Sequence, residues 1–146
     1  MSVEKFSAIF DGLEEAYGTY KIEKTSANGK NTGRAGVVKE PRTNKLWRDH
    51  LLGKGPSVGI IPINNKNMCK WGCIDVDQYP LDHKVLIEKI RKLKLPLVVC
   101  RSKSGGAHCY LFCKKWIDAK DMQKVLQHLA AALGHGDCEI FPKQVK

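Results

Sequence analysis

Hydrophobic and polar positions alternate with two different periods along this chain. Over residues 3–17, Val3, Phe6, Phe10, Leu13 and Tyr17 recur every three or four places with Ile9 beside them, which predicts one amphipathic helix ending at Gly18. From Tyr20 to Gly55 the period dissolves into a stretch rich in Gly, Asn, Lys and Arg, read as a flexible segment. Within it, Leu46 to Leu52 predicts a short helix around Trp47, and SVGIIPI at 57–63 predicts a strand. A turn over Asn64 to Asn67 leads to a strand over Lys70 to Asp77, and a hairpin is the natural connection between the two strands. A second amphipathic helix covers Leu81 to Leu95, with Val85, Leu86, Ile90 and Leu93 on its core side and Pro96 as its stop. LVVCR at 97–101 reads as a buried strand, a loop follows, and AHCYLFC at 107–113 is extended again. Asp118 caps the next helix, which runs through Leu133 and is closed by Gly134, and CEIFP at 138–142 is a last short strand.

Composition sets the scale. At 146 residues the chain, 1–146, is sized for a single domain, and its 42% hydrophobic content is ordinary. Charge changes the picture. Lys and Arg number 25 against 15 Asp and Glu, a formal net charge of +10, so a polyanionic partner is expected, nucleic acid or nucleotide first and an acidic membrane second. Nine of the basic residues fall between Lys21 and Lys54, among them Lys30, Arg34, Arg42, Lys45 and Arg48, and a flexible positive segment at 20–55 can embrace a phosphate backbone. The GKNT fragment at Gly29 is not a phosphate-binding P-loop, because Lys24 stands where the first glycine is needed and Asn31 where Ser or Thr must follow the lysine. No apolar run approaches the ~18 residues of a membrane span, and Met1 to Tyr17 does not read as a signal peptide, so the expectation is a soluble cytoplasmic protein with no membrane partner. Six cysteines at 69, 73, 100, 109, 113 and 138 lie mostly in apolar sequence and read as small reduced hydrophobes. The alternative is a zinc site from Cys69/Cys73 and Cys109/Cys113. Four-residue steps on extended strands separate each pair by ~13 Å, too far for one ion without a turn.

Three places carry candidate chemistry. Asp75 and Asp77 in IDVD emerge on one face of their strand, ~6.6 Å apart along the chain, and such a pair is tolerable where a hard divalent cation neutralises it. The loop from Arg101 to His108 combines Gly105 and Gly106, which let backbone amides approach an anion, with the hydroxyls of Ser102 and Ser104 and the charges of Arg101 and Lys103, the makings of a phosphate-binding loop. In the strand after it, His108, Tyr110 and Phe112 share one face. Glu139 points away from the apolar face of the last strand and is followed by Lys143 and Gln144; beside Asp75 and Asp77 it would complete a site for two divalent ions.

The order IDVD, RSKSGGAH, CEIFPKQ resembles the archaeo-eukaryotic primase superfamily, closest to the primase-polymerase branch of phages, plasmids and conflict (TOTE-like) systems. WRDHLLGKGPSVGIIPI looks like the stretch that precedes the first motif in that branch. The resemblance implies a mixed α/β (α+β) catalytic core with an RRM-like antiparallel sheet flanked by helices. It implies template-directed nucleotidyl transfer, with Asp75, Asp77 and Glu139 holding Mg²⁺ or Mn²⁺. His108 would contact the triphosphate, and Arg101, Ser102, Lys103, Ser104, Gly105 and Gly106 would form its cradle. Lys143 would be a further phosphate or template contact. Implied partners are a single-stranded DNA template, NTP or dNTP, and a helicase domain or protein, in a bacterial or phage-infected cell. Two departures stand out: Ala107 puts Gly-Ala-His where the strict motif has Ser-x-His, so Ser104 takes the hydroxyl's place, and an end at Lys146 reads as truncation, because the family chain continues past its third motif.

Two other readings stay open. A metal-dependent nuclease also needs clustered acids and a lysine, but extended geometry separates Glu139 from Lys143 by ~13 Å, which argues against a shared centre. A non-catalytic RRM-like binder would use Tyr110 and Phe112 to stack bases, with no need of three acids.

Overall fold

The computed structural model describes residues 2–27 and 31–146. Helix α1 (Val3–Ile9) is capped by the Ser2 hydroxyl, which accepts from the Lys5 amide, and it stops well short of the expected residue 17. The cause is tertiary. Phe10 turns its ring edge-on to Trp71, Tyr110 and Phe112, at centroid distances of 5.4, 5.3 and 5.6 Å. Beyond it the chain becomes a strap: the Trp71 indole N–H donates to the Asp11 carbonyl at 2.8 Å and the Leu13 amide to the Ile61 carbonyl at 2.9 Å. Gly12 passes so near Ile61 that a Cβ there would lie 2.2 Å from its carbonyl oxygen.

The segment expected to be irregular is largely a sheet. Strands β1 (Tyr17–Thr25) and β2 (Asn31–Val38) form an antiparallel hairpin. After it, α2 (Asn44–Leu51), capped by the Thr43 side chain, buries Trp47 and packs against α1 through Phe6. The expected strand 57–63 shrinks to β3 (Ser57–Gly59), and it pairs with β1 instead of forming a hairpin with the next strand. The order of this three-stranded sheet is β2-β1-β3.

The second sheet follows from β4 (Met68–Val76), α3 (His83–Lys92), β5 (Val98–Arg101), β6 (Ala107–Asp118), α4 (Ala119–Leu133) and β7 (Glu139–Phe141). Its order is β5-β6-β4-β7 with every neighbouring pair antiparallel. This is a βαββαβ arrangement, the split form in which β4 and β5 run parallel with β6 between them, and it matches the expected mixed α/β core with an RRM-like sheet. Leu86 and Ile90 of α3 and Met122, Leu126, Ala130 and Leu133 of α4 bury one face of the sheet against Ile74, Val76, Cys109 and Leu111. Helix α4 begins at the Asp118 cap and ends at Gly134 as the sequence predicts, because both caps are local signals. Strand β6 continues past the expected residue 113 through a register shift opposite Cys69 and Trp71, so that Ile117 and Asp118 still pair with Cys69 and Met68.

Candidate catalytic site

With helices on one face of the second sheet, the side chains that alternate away from them lie on the other. Register fixes which ones meet. On β4, Asp75 is directly opposite His108 of β6 and, on its other side, directly opposite Glu139 of β7. His108 in turn faces Cys100 of β5. Paired positions across antiparallel strands hold their Cβ atoms about 5 Å apart, so Cys100, His108, Asp75 and Glu139 form one row across the sheet.

The row is electrostatically loaded. His108 places Nε2 3.5 Å from an Asp75 carboxylate oxygen and Nδ1 3.1 Å from the Tyr110 hydroxyl. Burial pushes the Asp75 carboxyl above the usual range; His108 opposes this, Asp77 and Glu139 add to it, and Lys103 opposes it in turn. Asp77, just past the end of β4, accepts from the Tyr79 hydroxyl at 2.8 Å, and Tyr79 also engages Ser104. Glu139 is paired with Lys143 at 2.9 Å. That contact corrects the sequence expectation of a wide separation: β7 ends at Phe141, and Gln123 of α4 holds the turned-back tail by donating to the carbonyls of Pro142 and Lys143 at 2.8 and 3.0 Å. Distance therefore does not argue against a nuclease.

Three carboxylates on one end of a sheet, one of them pushed up in part by the other two, fit a hard divalent ion in donor type and charge. As their side chains stand, with Asp77 held by Tyr79 and Glu139 by Lys143, no group of three or more His, Cys, Asp and Glu among the described residues is close enough to grip an ion.

The phosphate-loop candidate is the β5–β6 connection. The Ser102 amide donates to the Gly106 carbonyl at 2.9 Å and the Gly105 amide to the Ser102 carbonyl at 3.0 Å, so these two donors are used inside the loop. Ser102 is buried with its hydroxyl 3.0 Å from that of Ser104. Gly105 has φ +96°, and a Cβ on Gly106 would lie 2.3 Å from the Val76 carbonyl oxygen, so the loop sits directly on the end of β4. His83, in the first turn of α3, bonds the Gly106 carbonyl through Nε2 at 2.9 Å. The Lys103 ammonium lies 3.2 Å from the centroid of the Tyr20 ring, and burial lowers its pKa while Asp75 opposes the shift. Arg101 is brought to a different place: it pairs with Ala107, on the strand face opposite Cys100 and His108.

A family model for the archaeo-eukaryotic primase domain of the TOTE conflict system matches residues 13–144. The chain belongs to that family. No curated protein matches it. Membership makes this primase domain a nucleotidyltransferase-type protein in general, of a family that uses divalent metals and acts on nucleic acid and nucleotides. A helicase partner finds no support in the match. Among the described residues no helix is long and apolar enough to cross a membrane.

The basic residues of the primase domain's N-terminal region divide. Arg34 on β2 is 83% exposed and 3.6 Å from Glu23, Lys45 pairs with Asp49 along α2, and Arg48 is exposed on the same helix. Lys30 lies outside the described residues. Arg42 is not on the surface: its side chain is 8% exposed, and its guanidinium reaches Asp11 at 3.4 Å and the Gly12 carbonyl at 3.2 Å, beside the Trp47 ring. Arg42→Met is therefore expected to destabilise the fold by about 1–2 kcal/mol in a denaturant titration, while leaving the salt dependence of single-stranded DNA binding unchanged. A reduced salt slope with normal stability would return Arg42 to the nucleic-acid face.

Tyr110 and Phe112, the rings a base-stacking binder would offer, pack against Phe10, and burial pushes the Tyr110 hydroxyl's pKa up. All six cysteines are free thiols. Burial pushes Cys69 up to about 12 and Cys109 up to about 11, which keeps them protonated and apolar, as read from sequence. Sequence reasoning passed over Tyr20, Tyr79, His83 and Gln123. Of these, Tyr79 had a local signal at the site, since it lies two residues past Asp77 and bonds to it.

Proposed function

We propose that this domain is a template-directed nucleotidyltransferase, a DNA primase or polymerase, joining the α-phosphate of an NTP or dNTP to a 3′-hydroxyl during primer synthesis or DNA replication and releasing pyrophosphate. The observation that carries the reading is the register that sets His108, Asp75 and Glu139 side by side next to the loop at Ser102 to Gly106. In it Asp75, Asp77 and Glu139 hold Mg²⁺ or Mn²⁺, as two ions. Bound there, the metal supplies the positive charge that activates the attacking oxygen and stabilises the leaving one.

The protein's own groups bind and orient. His108 is fixed through Nδ1 by the Tyr110 hydroxyl, and its Nε2, 3.5 Å from an Asp75 oxygen here, is the nitrogen that would exchange that carboxylate for a phosphate oxygen. Tyr79 joins Asp77 to Ser104, which supports the reading that Ser104 takes the role of the motif's missing serine. Lys103 and Lys143 bring charge to the rim for the triphosphate tail and the template. Arg34, Lys45 and Arg48 lie in the N-terminal region as contacts for the single strand.

Isothermal titration of a nucleoside triphosphate with Mn²⁺ or Mg²⁺, then with chelator, paired with primer extension on a single-stranded template, tests this. Metal-dependent binding and template-directed extension are expected. Tight single-stranded DNA binding with no metal-dependent nucleotide binding would favour the pure binder instead, and metal-dependent strand cleavage without extension would favour the nuclease.

A further inference from the structure

Lys103 is carried by the loop between β5 and β6, in the catalytic sheet, yet its ammonium rests on Tyr20, a residue of β1 in the other sheet. Nothing in local sequence joins the two. At 3.2 Å from the ring centroid the ammonium sits over the negative face of the aromatic quadrupole, in the geometry of a cation–π contact. The ring is uncovered for a reason written in the strand register. Tyr20 pairs with Ala35 on one side and with Ser57 on the other, so small side chains flank the ring on both neighbouring strands.

A lysine on a hairpin loop ordinarily keeps a solvated ammonium on a flexible stem, and fixing it on a ligand costs rotamer freedom. Here the ring takes the place of part of the hydration shell and restricts the stem before any ligand arrives. Asp75 attracts the same ammonium through space.

We infer that Tyr20 is a positioning residue for the phosphate loop: its ring holds the Lys103 ammonium at the rim of the row Cys100–His108–Asp75–Glu139, so that the N-terminal sheet helps to set the affinity for a nucleoside triphosphate. This rests on the proposed function and goes beyond it by giving the three-stranded sheet a part in nucleotide binding. Tyr20 touches neither substrate nor metal; it acts through Lys103.

The test keeps the shape of the ring and changes its electrons. Phenylalanine and then increasingly fluorinated phenylalanines are placed at position 20, in the full chain with Lys103 and in the full chain carrying Lys103→Met, and metal-dependent triphosphate binding is measured by titration. With Lys103 present, Tyr20→Phe is expected to bind within about twofold of the unsubstituted chain, and affinity is expected to fall stepwise with fluorination by about three- to tenfold in all. With Lys103→Met the series is expected to be flat. A flat series in both backgrounds, or an equal slope in both, overturns the inference, because a purely structural ring would be indifferent to Lys103. Thermal midpoints without nucleotide are expected to be level across the series; a fall in midpoint that parallels the fall in affinity would likewise assign Tyr20 to the fold alone. An unsubstituted chain that binds no triphosphate would remove the proposed function and the inference together, whereas binding that ignores ring electronics removes the inference only.

Discussion

Asp75→Asn is expected to abolish template-directed nucleotide addition, with a fall on the order of 10³-fold, or about 4 kcal/mol of transition-state stabilisation. Asp75 is the carboxylate in the middle of the row, next to both His108 and Glu139, and the amide keeps its shape while removing its charge. The same substitution is expected to cost the metal-free fold nothing. Burial first, then Asp77 and Glu139, hold the folded-state pKa of Asp75 above its unfolded value, and His108 and Lys103 only partly compensate. A carboxyl shifted upward favours folding most below its unfolded pKa of about 3.9 and loses that advantage as the pH rises through the folded-state value. At neutral pH the wild type therefore carries the full burden of the charge and the asparagine variant does not. Melting in chelator at pH 7 should show a midpoint for Asp75→Asn at or above that of the wild type, with the wild type gaining relative to it toward pH 4. A variant that retains extension, or that melts well below the wild type at pH 7, would mean that Asp75 is a structural partner of His108.

Gly106→Ala is expected to combine a loss of stability with a loss of binding. The added Cβ would fall 2.3 Å from the Val76 carbonyl oxygen, and a backbone atom at the end of the central strand cannot step aside as a flexible side chain would. Either the loop lifts, giving up the His83 bond to the Gly106 carbonyl, or the end of β4 shifts and takes Asp75 with it. Overpacking of this kind costs about 3 kcal/mol, read as a shift in denaturation midpoint. Triphosphate affinity should drop at least ~10-fold even at temperatures where the variant stays folded, since each unit of 1.4 kcal/mol lost from the seat of the loop is a factor of ten. A variant with normal affinity would show that the loop's seat on β4 is irrelevant to the nucleotide.

The catalytic sheet was legible because its strands are buried on one face and its helices carry capped, amphipathic patterns. Ile74 and Val76, Cys109 and Leu111, and the spacing of Met122, Leu126 and Ala130 all report the same core. The N-terminal sheet was not read because none of its described residues is fully buried, and from Lys21 onward β1 is exposed. A signal was present nonetheless: Tyr20 and Ile22 alternate with Lys21 and Glu23 ahead of the Asn28-Gly29 dipeptide, the pattern of a hairpin. Helix α1 was overextended because Leu13 and Tyr17 keep a helical spacing by coincidence, whereas Phe10 and Gly12 are committed to Tyr110 and Ile61. At the site, the faces of His108 and Glu139 were readable from alternation within their own strands, but the register that sets them beside Asp75 is a tertiary pairing that alternation does not specify. What alternation cannot show is a chain that folds back, as at Pro142 to bring Lys143 onto Glu139, or a residue such as Arg42 that leaves a polar run to fill a buried place.

The three carboxylates are not equally anchored. Asp75 belongs to a nine-residue strand with partners on both sides and inherits the stability of the whole core, whereas Glu139 rides on three paired residues at the sheet's edge, secured behind by Gln123. Local opening free energies follow such differences in burial and pairing. Amide exchange at 139–141 should therefore outrun exchange at 73–75. Glu139 is the acid that can leave the row without unfolding the sheet, which puts the least costly motion of the site at the same end as Lys143.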